Sequence, residues 1–497
     1  MTPSQFQHAV MPHGTTSIIW DPHEIANVKG LEGIQWAIKA SENLLLDVFI
    51  ILPSCIPSTN PNLKLETSSA KLPSHDLSVF KNLPRTLGLA EMMDYPGVLN
   101  CNDDVLDKLM DFKKYYRDGH TPQLSGKNLN AYAAAGIHND HESTTLEEAR
   151  EKLSKGILCL IREGSCAKDA RALLPTINDY TSAVIALCSD DRNPLDILDQ
   201  GHINFIIDEA LKMGCSPENI FRVASFAPSK MYGLKDRGAI APGYVADLCL
   251  VKPKNNKWKN GFEIKSVYKN GTLITPEIFK HENKYHFTGK NIHIASCHLI
   301  DFQVAAKNND KQCVHVIGIK PKQLITEKLE AELPIISNEL QADVTQDVLK
   351  IAVFERHKGS GAHAVGFVKG FNLKGGAIAT SISHDAHNVI VVGANDEAML
   401  NATRKLIEID GGIVVVDDEK NYVTLPLLVG GLMSNETPKE IYETLNKLQH
   451  AAEKIGCKLE NPFLQLSFLA LPVIPALKIT DQGLIDVENL QKIEICC

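Results

Sequence analysis

The sequence predicts an α/β fold, with a TIM-like (β/α)8 barrel in the first half, a small β-subdomain and a C-terminal α/β domain. Two observations carry this prediction. Up to about residue 235, short β-branched segments alternate with longer helical patterns, which indicates a parallel sheet. Polar clusters follow five of these segments. An open sheet would place its ligand at one or two strand ends, so this series of polar strand ends favours a barrel.

Each predicted strand is a short apolar or β-branched run that ends at a turn residue or a polar cluster. In chain order, these strands are Thr15–Trp20, Leu46–Leu52, Thr86–Glu91, a strand that opens at Ile137, Ile157–Glu163 and Ala183–Cys188. The helical patterns between them are Leu31–Glu42, Asn102–Arg117, Gly126–Ala135 and Leu146–Ser154. With the short segment at Gly119-His120, the chain supplies about seven strand–helix units.

The character of the sequence changes near residue 238, which predicts the end of the barrel domain at residues 1–237. Gly238–Leu248 leads into short strands, and Lys269-Asn270-Gly271-Thr272 predicts a hairpin because Asn-Gly suits a two-residue turn. Residues 238–284 are therefore predicted to form the β-subdomain, and residues 285–497 the C-terminal α/β domain. Glycine-rich segments there, such as Gly370–Gly376, are more typical of turns than of phosphate-binding loops.

Composition excludes several classes of partner. The net charge is −9 and no block of Lys or Arg occurs, which argues against a nucleic-acid surface. The twelve cysteines include no CxxC pair, a pattern typical of a reducing cytoplasm. The most apolar stretch, Leu44–Pro53, is far too short to span a bilayer. We expect a cytoplasmic protein with neither a nucleic-acid partner nor a membrane partner.

Imidazole and carboxylate groups recur at the predicted strand ends, in the order Glu91, His120, His141 and Asp190. Because the carboxyl ends of barrel strands converge on one mouth, we expect these four side chains to lie together. Two acids and two histidines form a mixed nitrogen and oxygen shell for two divalent ions, with Glu91 able to bridge them. A water held by such ions loses its proton near neutral pH and becomes a nucleophile.

Two acids at these strand ends are candidates for moving protons. Asp190 could accept a proton and pass it to a leaving group, and Glu142 could protonate a ring nitrogen of the substrate. For Asp190, capping of the following helix is a competing interpretation, because Asp191-Arg192-Asn193-Pro194 comes next.

Further polar residues are candidates for lining the mouth. His23 and Glu24 follow the first predicted strand. Arg162 ends another strand, and its alternative role is a buried pair with Glu163 that supports the mouth. A last cluster, Ser383–Asn388, lies outside the barrel, so its residues matter to the site only if the last domain folds back over the mouth.

Several strings of the sequence together resemble the bacterial adenine deaminases of the amidohydrolase superfamily, in the right order and over nearly the whole chain. They are Met11–Val28, Leu87–Val98, Asp118-Gly119-His120, Gly136–Thr145, Ile161–Ala167, Ser189–Arg192, Pro242-Gly243 with Ala246-Asp247, and Ser383–Asn388. The resemblance implies hydrolysis of adenine to hypoxanthine and ammonia, as in purine salvage and adenine catabolism. The zinc cytidine-type deaminases perform a related attack with a different fold and different ligands.

The resemblance also implies a set of roles. It implies Mn²⁺ as the metal, with Fe²⁺ as the second possibility, and we expect a homodimer or a higher homo-oligomer. The metal ligands would be Glu91, His120, His141 and Asp190, and the catalytic residues Asp190 and Glu142. The residues expected to bind substrate are His23, Glu24, Arg162, His384, Asp385 and His387.

One departure from the family pattern concerns the start of the chain. The family carries a His-x-His ligand pair ahead of the Met-Thr-Pro motif, whereas this chain begins at Met1-Thr2-Pro3 and contains no His-x-His elsewhere. We therefore expect an N-terminally truncated chain with an incomplete barrel, a remnant of the β-subdomain and impaired deamination.

Two alternatives stay open. The first is another amidohydrolase that acts on a cyclic amide; such enzymes usually bridge their metals with a carboxylated Lys at the strand of Glu91. Thr86–Glu91 contains no Lys, which favours the deaminase. The second is a non-catalytic adenine-binding remnant, suggested by the missing His-x-His pair.

Overall fold

A computed structural model of the chain describes residues 1–279, 284, 286–294, 296–307 and 311–497. The described elements form a parallel sheet with helices, a small antiparallel sheet and a larger sheet-rich region. The predicted division into 1–237, 238–284 and 285–497 stays a prediction. Its second boundary touches residue 285, which lies outside the described residues.

The N-terminal region is built on parallel strands that pair in chain order. They are β1 Ser17–Trp20, β2 Asp47–Leu52, β3 Thr86–Met92, β4 Tyr116–Gly119, β5 Asn139–Asp140, β6 Leu158–Arg162 and β7 Ile185–Cys188. The pairing runs β1-β2-β3-β4 and β5-β6-β7, and the His138 amide joins the two runs by donating to the Arg117 carbonyl at 3.0 Å. The predicted incomplete barrel is confirmed as a parallel half-barrel.

Helices connect these strands. They are α1 Pro3–Val10, α2 His23–Ala40, α3 Ser74–Ser78, α4 Tyr95–Leu99, α5 Asp103–Asp111, α6 Gly126–Ala134, α7 Leu146–Ser154, α8 Ala170–Leu173, α9 Pro194–Gln200, α10 Ile203–Lys212, α11 Pro217–Ala224 and α12 Phe226–Met231. Side chains cap several of them: Thr145 accepts from the Glu148 amide at 3.2 Å, and Ser216 accepts from the Asn219 amide at 3.2 Å.

Two predicted helices differ from those observed. The helix predicted for Asn102–Arg117 ends at Asp111, because Tyr116 and Arg117 belong to β4 and pair with β3. The helix predicted from Leu31 begins earlier, at His23, and bends at Gly30, whose φ of +57° is not helical. For Asn102–Arg117, strand pairing outweighs the local helical pattern at the C-terminal end. For the helix predicted from Leu31, the bend at Gly30 interrupts the helical period, so the sequence pattern does not show the earlier start.

A buried ion-pair network fixes the ends of β4 and β5. The Lys152 ammonium on α7 is 1% exposed and donates to Asp140 Oδ2 at 2.6 Å, Glu148 Oε1 at 2.9 Å and the Thr121 carbonyl at 2.9 Å. Asp140 also accepts from the Thr121 amide at 2.7 Å. Because such a buried charge is tolerated only with full hydrogen bonding, this network holds His120 and His141, the neighbours of Thr121 and Asp140, in place.

The β-subdomain is an antiparallel sheet in the order β10-β9-β8. Its strands are β8 Leu248–Pro253, β9 Phe262–Lys269 and β10 Thr272–Leu273. The predicted hairpin turn is present, and Asn270 and Gly271 both have positive φ, as a two-residue turn requires. Lys269 attaches this sheet to the half-barrel, since its ammonium lies 2.6 Å from both Asp47 Oδ2 and Asp247 Oδ2.

The C-terminal region is richer in strands than the predicted α/β pattern. One sheet has the order β13-β12-β11-β15-β14-β17-β16-β18-β19, and β20-β21-β22 form another. The strands are β11 Lys311–Ile319, β12 Thr326–Ile336, β13 Glu339–Leu340, β14 Val348–Phe354, β15 His363–Lys369, β16 Ala377–Thr380, β17 Val389–Gly393, β18 Gly412–Val416, β19 Tyr422–Pro426, β20 Leu477–Thr480, β21 Gly483–Asp486 and β22 Gln491–Ile493. The helices are α13 Asp396–Glu408, α14 Pro438–Lys454 and α15 Pro462–Ser467.

Both faces of the larger C-terminal sheet are buried. On β14, Leu349 and Ile351 face the core shared with α14, whereas Val348 and Ala352 face the core shared with α13. This alternation follows from the two-residue period of a strand. The region packs against the half-barrel through polar contacts as well, among them the Asn388 amide donating to the Thr67 carbonyl at 3.0 Å. In the part of the chain that the structure describes, no helix is long and apolar enough to cross a membrane.

The close approach of β3 and β4 at Gly88 generates the first testable prediction. A Cβ at Gly88 would overlap the backbone of Tyr116, so Gly88→Ala should lower the free energy of unfolding by at least about 3 kcal/mol. The matched control is Gly156→Ala, where φ is +80° but nothing lies within 4 Å, with an expected loss of about 1 kcal/mol. Urea denaturation measures both. Equal losses in the two variants would contradict the pairing of β3 with β4.

Candidate metal centre and active site

Successive strand ends carry the candidate site. Glu91 lies within β3, His120 directly follows β4, and His141 and Glu142 directly follow β5. Asp190 comes two residues after β7. Parallel strands in sequential order deliver all their carboxyl ends to one side of the sheet, so these side chains meet although they are far apart in the chain.

Glu91 is hydrogen bonded to two imidazoles. Its Oε2 atom lies 2.7 Å from His120 Nδ1 and 3.2 Å from His141 Nε2, and the three donor atoms lie within 4.8 Å of one another. Ligands bound to an ion at 2.0–2.2 Å are separated from each other by roughly 3 Å. The separations and the mixed oxygen and nitrogen donors therefore fit a divalent cation.

The charges in this cluster stabilise each other. Burial alone would raise the pKa of Glu91, but the charge of His141 and the hydrogen bond from His120 lower it well below its usual range. Burial would lower the pKa of His141, but Glu91 raises it to about 10. A cation that takes these nitrogen atoms must displace their protons, so its affinity should rise with pH.

Two further carboxylates, those of Glu142 and Asp190, lie beside His141 and are paired with Arg162. The Arg162 guanidinium donates to Glu142 Oε2 at 3.2 Å, Asp190 Oδ2 at 2.9 Å and Asp169 Oδ2 at 3.1 Å. His141 Nε2 lies 3.4 Å from Glu142 Oε1 and 3.9 Å from Asp190 Oδ2. Arg162 thus orients both acids toward the imidazole of His141.

The ion-pair partners of Arg162 differ from the one that the sequence suggested. Arg162 does form buried ion pairs, but among the described residues its partners are Glu142, Asp169 and Asp190 rather than Glu163. Glu163 instead accepts from the Ala170 amide at 3.1 Å.

Asp190 does not cap the helix that follows it. Asn193 caps α9, accepting from the Asp196 amide at 2.9 Å. Asp190 has a left-handed backbone with φ of +48°, a conformation that Asp and Asn adopt more readily than most residues. Burial would raise the pKa of Asp190, but the charge of Arg162 lowers it to about 2. The side chain is therefore ionised and free of a capping role.

His23 faces the second carboxylate oxygen of Glu91, Oε1, rather than the Oε2 atom that contacts His120 and His141. His23 Nδ1 lies 2.8 Å from Asp21 Oδ2 and 3.6 Å from Glu91 Oε1, and its Nε2 lies 3.8 Å from Glu24 Oε1. Asp21, His23 and Glu91 form another group of donor atoms within 4.8 Å of one another. Each carboxylate oxygen of Glu91 thus faces a different set of donors.

The C-terminal region reaches this mouth. Asp385 Oδ1 lies 3.8 Å from His23 Nε2 and 3.5 Å from His384 Nδ1, and both residues are buried. The sequence allowed the Ser383–Asn388 cluster a role only if the last domain folds back over the strand ends, and in the structure this part of the chain does so. His387 accepts from the Ser383 backbone amide at 3.2 Å through Nδ1, and its ring lies 5.2 Å from that of His384. Burial holds the pKa of His387 well below its usual range.

Several polar atoms of this loop have no protein partner. Within the described ranges, His384 Nε2, Asp385 Oδ2 and His387 Nε2 are buried without a hydrogen bond. An unpaired buried polar atom costs on the order of 1–3 kcal/mol, so these atoms are suited to accept a ligand.

Three residues that position the site are not among the site residues predicted from the sequence. Asp21 orients His23, and Asp169 holds Arg162. Arg356 is fully buried and donates to the Asn291 carbonyl at 3.2 Å, the Gly430 carbonyl at 3.1 Å and the His387 carbonyl. Arg356 therefore fixes the histidine loop. Asp21 lies in a string that resembles the family, but nothing in the local sequence marks Arg356.

Two family matches cover most of the chain. Residues 1–274 match the amidohydrolase family, and residues 323–491 match the adenine deaminase C-terminal domain. The adenine deaminase of Brucella abortus (strain 2308) is 45% identical over 495 residues, which cover 99% of this chain and 83% of that protein. Adenine deaminase 1 of Rhizobium meliloti (strain 1021) is 44% identical over 494 residues, covering 99% and 85% respectively.

Among solved structures, an enamidase of the amidohydrolase superfamily aligns with 55% of this chain and 76% of its own. The identity is 15% and the TM-score is 0.40, a likeness too low to support a functional argument.

The position of Arg162 among three acids generates a stability prediction. Arg162→Met leaves these carboxylates buried without a cation, and in the presence of chelator the free energy of unfolding should fall by about 3–5 kcal/mol. The Arg162 guanidinium keeps the pKa of Asp190 low in the folded protein. The ion pair therefore stabilises the parent at pH values above the pKa that Asp190 has in the unfolded chain. This stabilisation is lost as pH falls through the pKa of Asp190 in the folded protein. The difference in unfolding free energy between parent and variant should therefore narrow as pH falls from about 4 toward about 2, between the unfolded and folded pKa values of Asp190.

Arg192→Met is the matched control for this experiment. Arg192 is also buried, but its guanidinium donates to the Gly201 carbonyl and to Gln200 Oε1, both at 2.9 Å. The loss of unfolding free energy in Arg192→Met should change less with pH than the loss in Arg162→Met. A pH-independent deficit for Arg162→Met in urea denaturation would contradict the ion-pair assignment.

Proposed function

This chain belongs to the amidohydrolase family, and from that premise we propose that it hydrolyses adenine to hypoxanthine and ammonia. Relatives that bear the name adenine deaminase match it over 99% of its length, and the adenine deaminase C-terminal domain matches residues 323–491. The structural observation that carries the proposal is the convergence of Glu91, His120 and His141 beside Glu142 and Asp190. This arrangement combines metal donors with groups that move protons.

The metal ligands that we propose are Glu91, His120, His141 and Asp190. Glu91 is suited to bridge two ions, because its Oε2 faces His120 and His141 while its Oε1 faces His23. We propose Mn²⁺ as the resident ion and Fe²⁺ as the second candidate, since both accept carboxylate and imidazole ligands. When bound, such an ion supplies a water that loses its proton near neutral pH.

Asp190 and Glu142 are the proposed proton carriers. Asp190 Oδ2 lies 2.9 Å from the Arg162 guanidinium and 3.9 Å from His141 Nε2, which supports its carboxylate as the acceptor of a proton from the attacking water. Asp190 passes that proton to the amino group as the bond between C6 and this nitrogen breaks, and ammonia leaves. Glu142, whose Oε1 lies 3.4 Å from His141 Nε2, would deliver a proton to a ring nitrogen and regain one from the C6 hydroxyl as the carbonyl of hypoxanthine forms.

The proposed substrate-binding residues lie around the same mouth. The unpartnered atoms His384 Nε2, Asp385 Oδ2 and His387 Nε2 support a contact with the ring nitrogens and N–H groups of a purine. His23 Nε2 lies 3.8 Å from both Asp385 Oδ1 and Glu24 Oε1, which supports a role for His23 and Glu24 in the same contact. A substrate contact of Arg162 stays a prediction, and its bonds to three acids support a positioning role.

Neither of the two alternative functions, hydrolysis of a cyclic amide or adenine binding without catalysis, gains support. Glu91 occupies the position where cyclic-amide hydrolases of this superfamily usually carry a Lys, and it contacts both imidazoles. A purely binding function would not need the acids Glu142 and Asp190 to be paired with one buried Arg162.

We propose three further properties. The protein acts in purine salvage in the cytoplasm, for which the free cysteines of the described residues offer support, since thiols persist in a reducing compartment. It forms a homodimer or a higher homo-oligomer, which sedimentation can measure. Its domains are residues 1–237, 238–284 and 285–497; a separate family match to residues 323–491 supports the last of these as a distinct domain.

The metal assignment is tested by Glu91→Gln and His141→Ala. Each change removes a donor at the centre of the cluster, so each variant should lose bound metal and adenine deamination. Metal content per chain is measured by elemental analysis, and deamination by the release of ammonia and hypoxanthine. His363→Ala, at an exposed position on β15, is the matched control and should behave as the parent. Full activity in either cluster variant would remove that residue from the ligand set.

The proton-transfer assignment is tested by Asp190→Asn. Asn tolerates the left-handed backbone at this position, so the fold and most of the bound metal should be retained. The turnover rate should fall about 10²–10⁴-fold, because the amide cannot accept the proton. Asp199→Asn makes the same chemical change at an exposed site on α9 and should leave the rate unchanged. Normal turnover by Asp190→Asn would exclude Asp190 as the proton carrier.

A further inference from the structure

A second cluster of metal-binding side chains lies on the C-terminal sheet, outside the strand-end site. It consists of Cys313 and His315 on β11, Glu330 on β12, and Cys497. On β11, Gln312, Val314 and Val316 are buried, whereas Cys313 and His315 are partly exposed. Because side chains alternate along a strand, Cys313 and His315 project from the same, outer face.

Strand β12 adds a carboxylate to this face. His315 is directly opposite Glu330 in the antiparallel pair of β11 and β12. Side chains that are opposite each other in this way have Cβ atoms about 4.5–5.5 Å apart, so they can share one ligand.

The segment after β22 supplies the second thiol. It pairs antiparallel with β11: the His315 amide donates to the Ile495 carbonyl at 2.8 Å, and the Cys497 amide donates to the Cys313 carbonyl at 3.3 Å. This register places Cys497 beside Cys313, with their sulfur atoms 2.6 Å apart. Cys497 Sγ also lies 3.8 Å from His315 Nδ1.

The neighbouring cysteine faces the other way. Cys496 is opposite Val314 in this pairing, and its sulfur accepts from the buried Gln312 amide. Two adjacent cysteines therefore have different surroundings, and only Cys497 meets the group on the outer face.

These donors are crowded in a way that a cation would relieve. The Cys313 and Cys497 sulfur atoms and a Glu330 oxygen lie within 4.8 Å of one another. Desolvation, together with Cys313 and the negative charge of Glu330, raises the pKa of the Cys497 thiol to about 12. A bound cation reverses this effect, because a coordinating thiol is deprotonated.

We propose that Cys313, His315, Glu330 and Cys497 bind a borderline-soft divalent ion with the properties of Zn²⁺. Two thiolates, one imidazole and one carboxylate are the donor types of four-coordinate structural zinc sites. On binding, the two thiols release their protons to the solvent, and no oxidant or reductant is needed. The ion would fasten residues 495–497 to the outer face of β11.

Co²⁺ is the probe for this site, because thiolate ligands give sulfur-to-cobalt charge-transfer bands in the near ultraviolet that oxygen and imidazole ligands do not give. The full chain, reduced and freed of metal, should show these bands at one equivalent of Co²⁺ beyond the strand-end site, and Zn²⁺ should abolish them. Cys313→Ser and Cys497→Ser should each remove the bands. His315→Ala and Glu330→Gln should weaken Co²⁺ binding at this site about tenfold or more.

Two control variants distinguish this site from the neighbouring thiol and from the strand-end donors. Cys496→Ser should retain the bands, since its sulfur faces Gln312. Glu91→Gln should also retain them, because the strand-end donors are oxygen and nitrogen atoms. Zn²⁺ should raise the melting temperature of Cys496→Ser more than that of Cys497→Ser, because the strand-end site can bind an ion in both, while both variants melt alike without metal.

Three results would overturn the proposal. The first is the absence of thiolate bands in the reduced parent chain. The second is their persistence in both Cys313→Ser and Cys497→Ser. The third is a disulfide between Cys313 and Cys497 that is already present in the purified chain and resists added reductant, seen as an intact mass lower by two hydrogen atoms.

Discussion

The carboxylate of Glu91 is the contact on which the rest of the site depends. It reaches His120 and His141 with one oxygen and faces His23 with the other, so three strand ends are linked through one side chain. This link requires β3, β4 and β5 to lie side by side in parallel. The close approach of Gly88 to Tyr116 and the buried Lys152–Asp140 pair are the local features that hold this arrangement.

The C-terminal region completes the mouth rather than standing apart from it. Arg356 ties together the backbone near residues 291, 387 and 430, and thereby fixes the loop that carries His384 and Asp385. Because a substitution of Arg356 would leave these buried carbonyls without their donor, it would release the loop. Among the described residues, the buried atoms of that loop that have no hydrogen bond support its proposed contact with the substrate.

The sequence alone could predict the elements with a strong period and the residues at their ends. Leu146–Ser154 matches the observed helix at both ends, because a Thr cap precedes it and Gly156 follows. The border between α5 and β4 could not be predicted, since Tyr116 and Arg117 become a strand only by pairing with β3. Likewise, Arg356 could not be found, because its partners are backbone atoms that are distant in the chain and leave no sequence pattern.

The most direct test of the proposed active site is an anomalous diffraction experiment on crystals of the chain grown with Mn²⁺ and hypoxanthine. We predict an anomalous peak at the Mn edge in contact with Glu91, His120 and His141, with the purine between this peak and the loop of His384 and Asp385. A peak elsewhere, or a purine bound away from these strand ends, would contradict the proposed site.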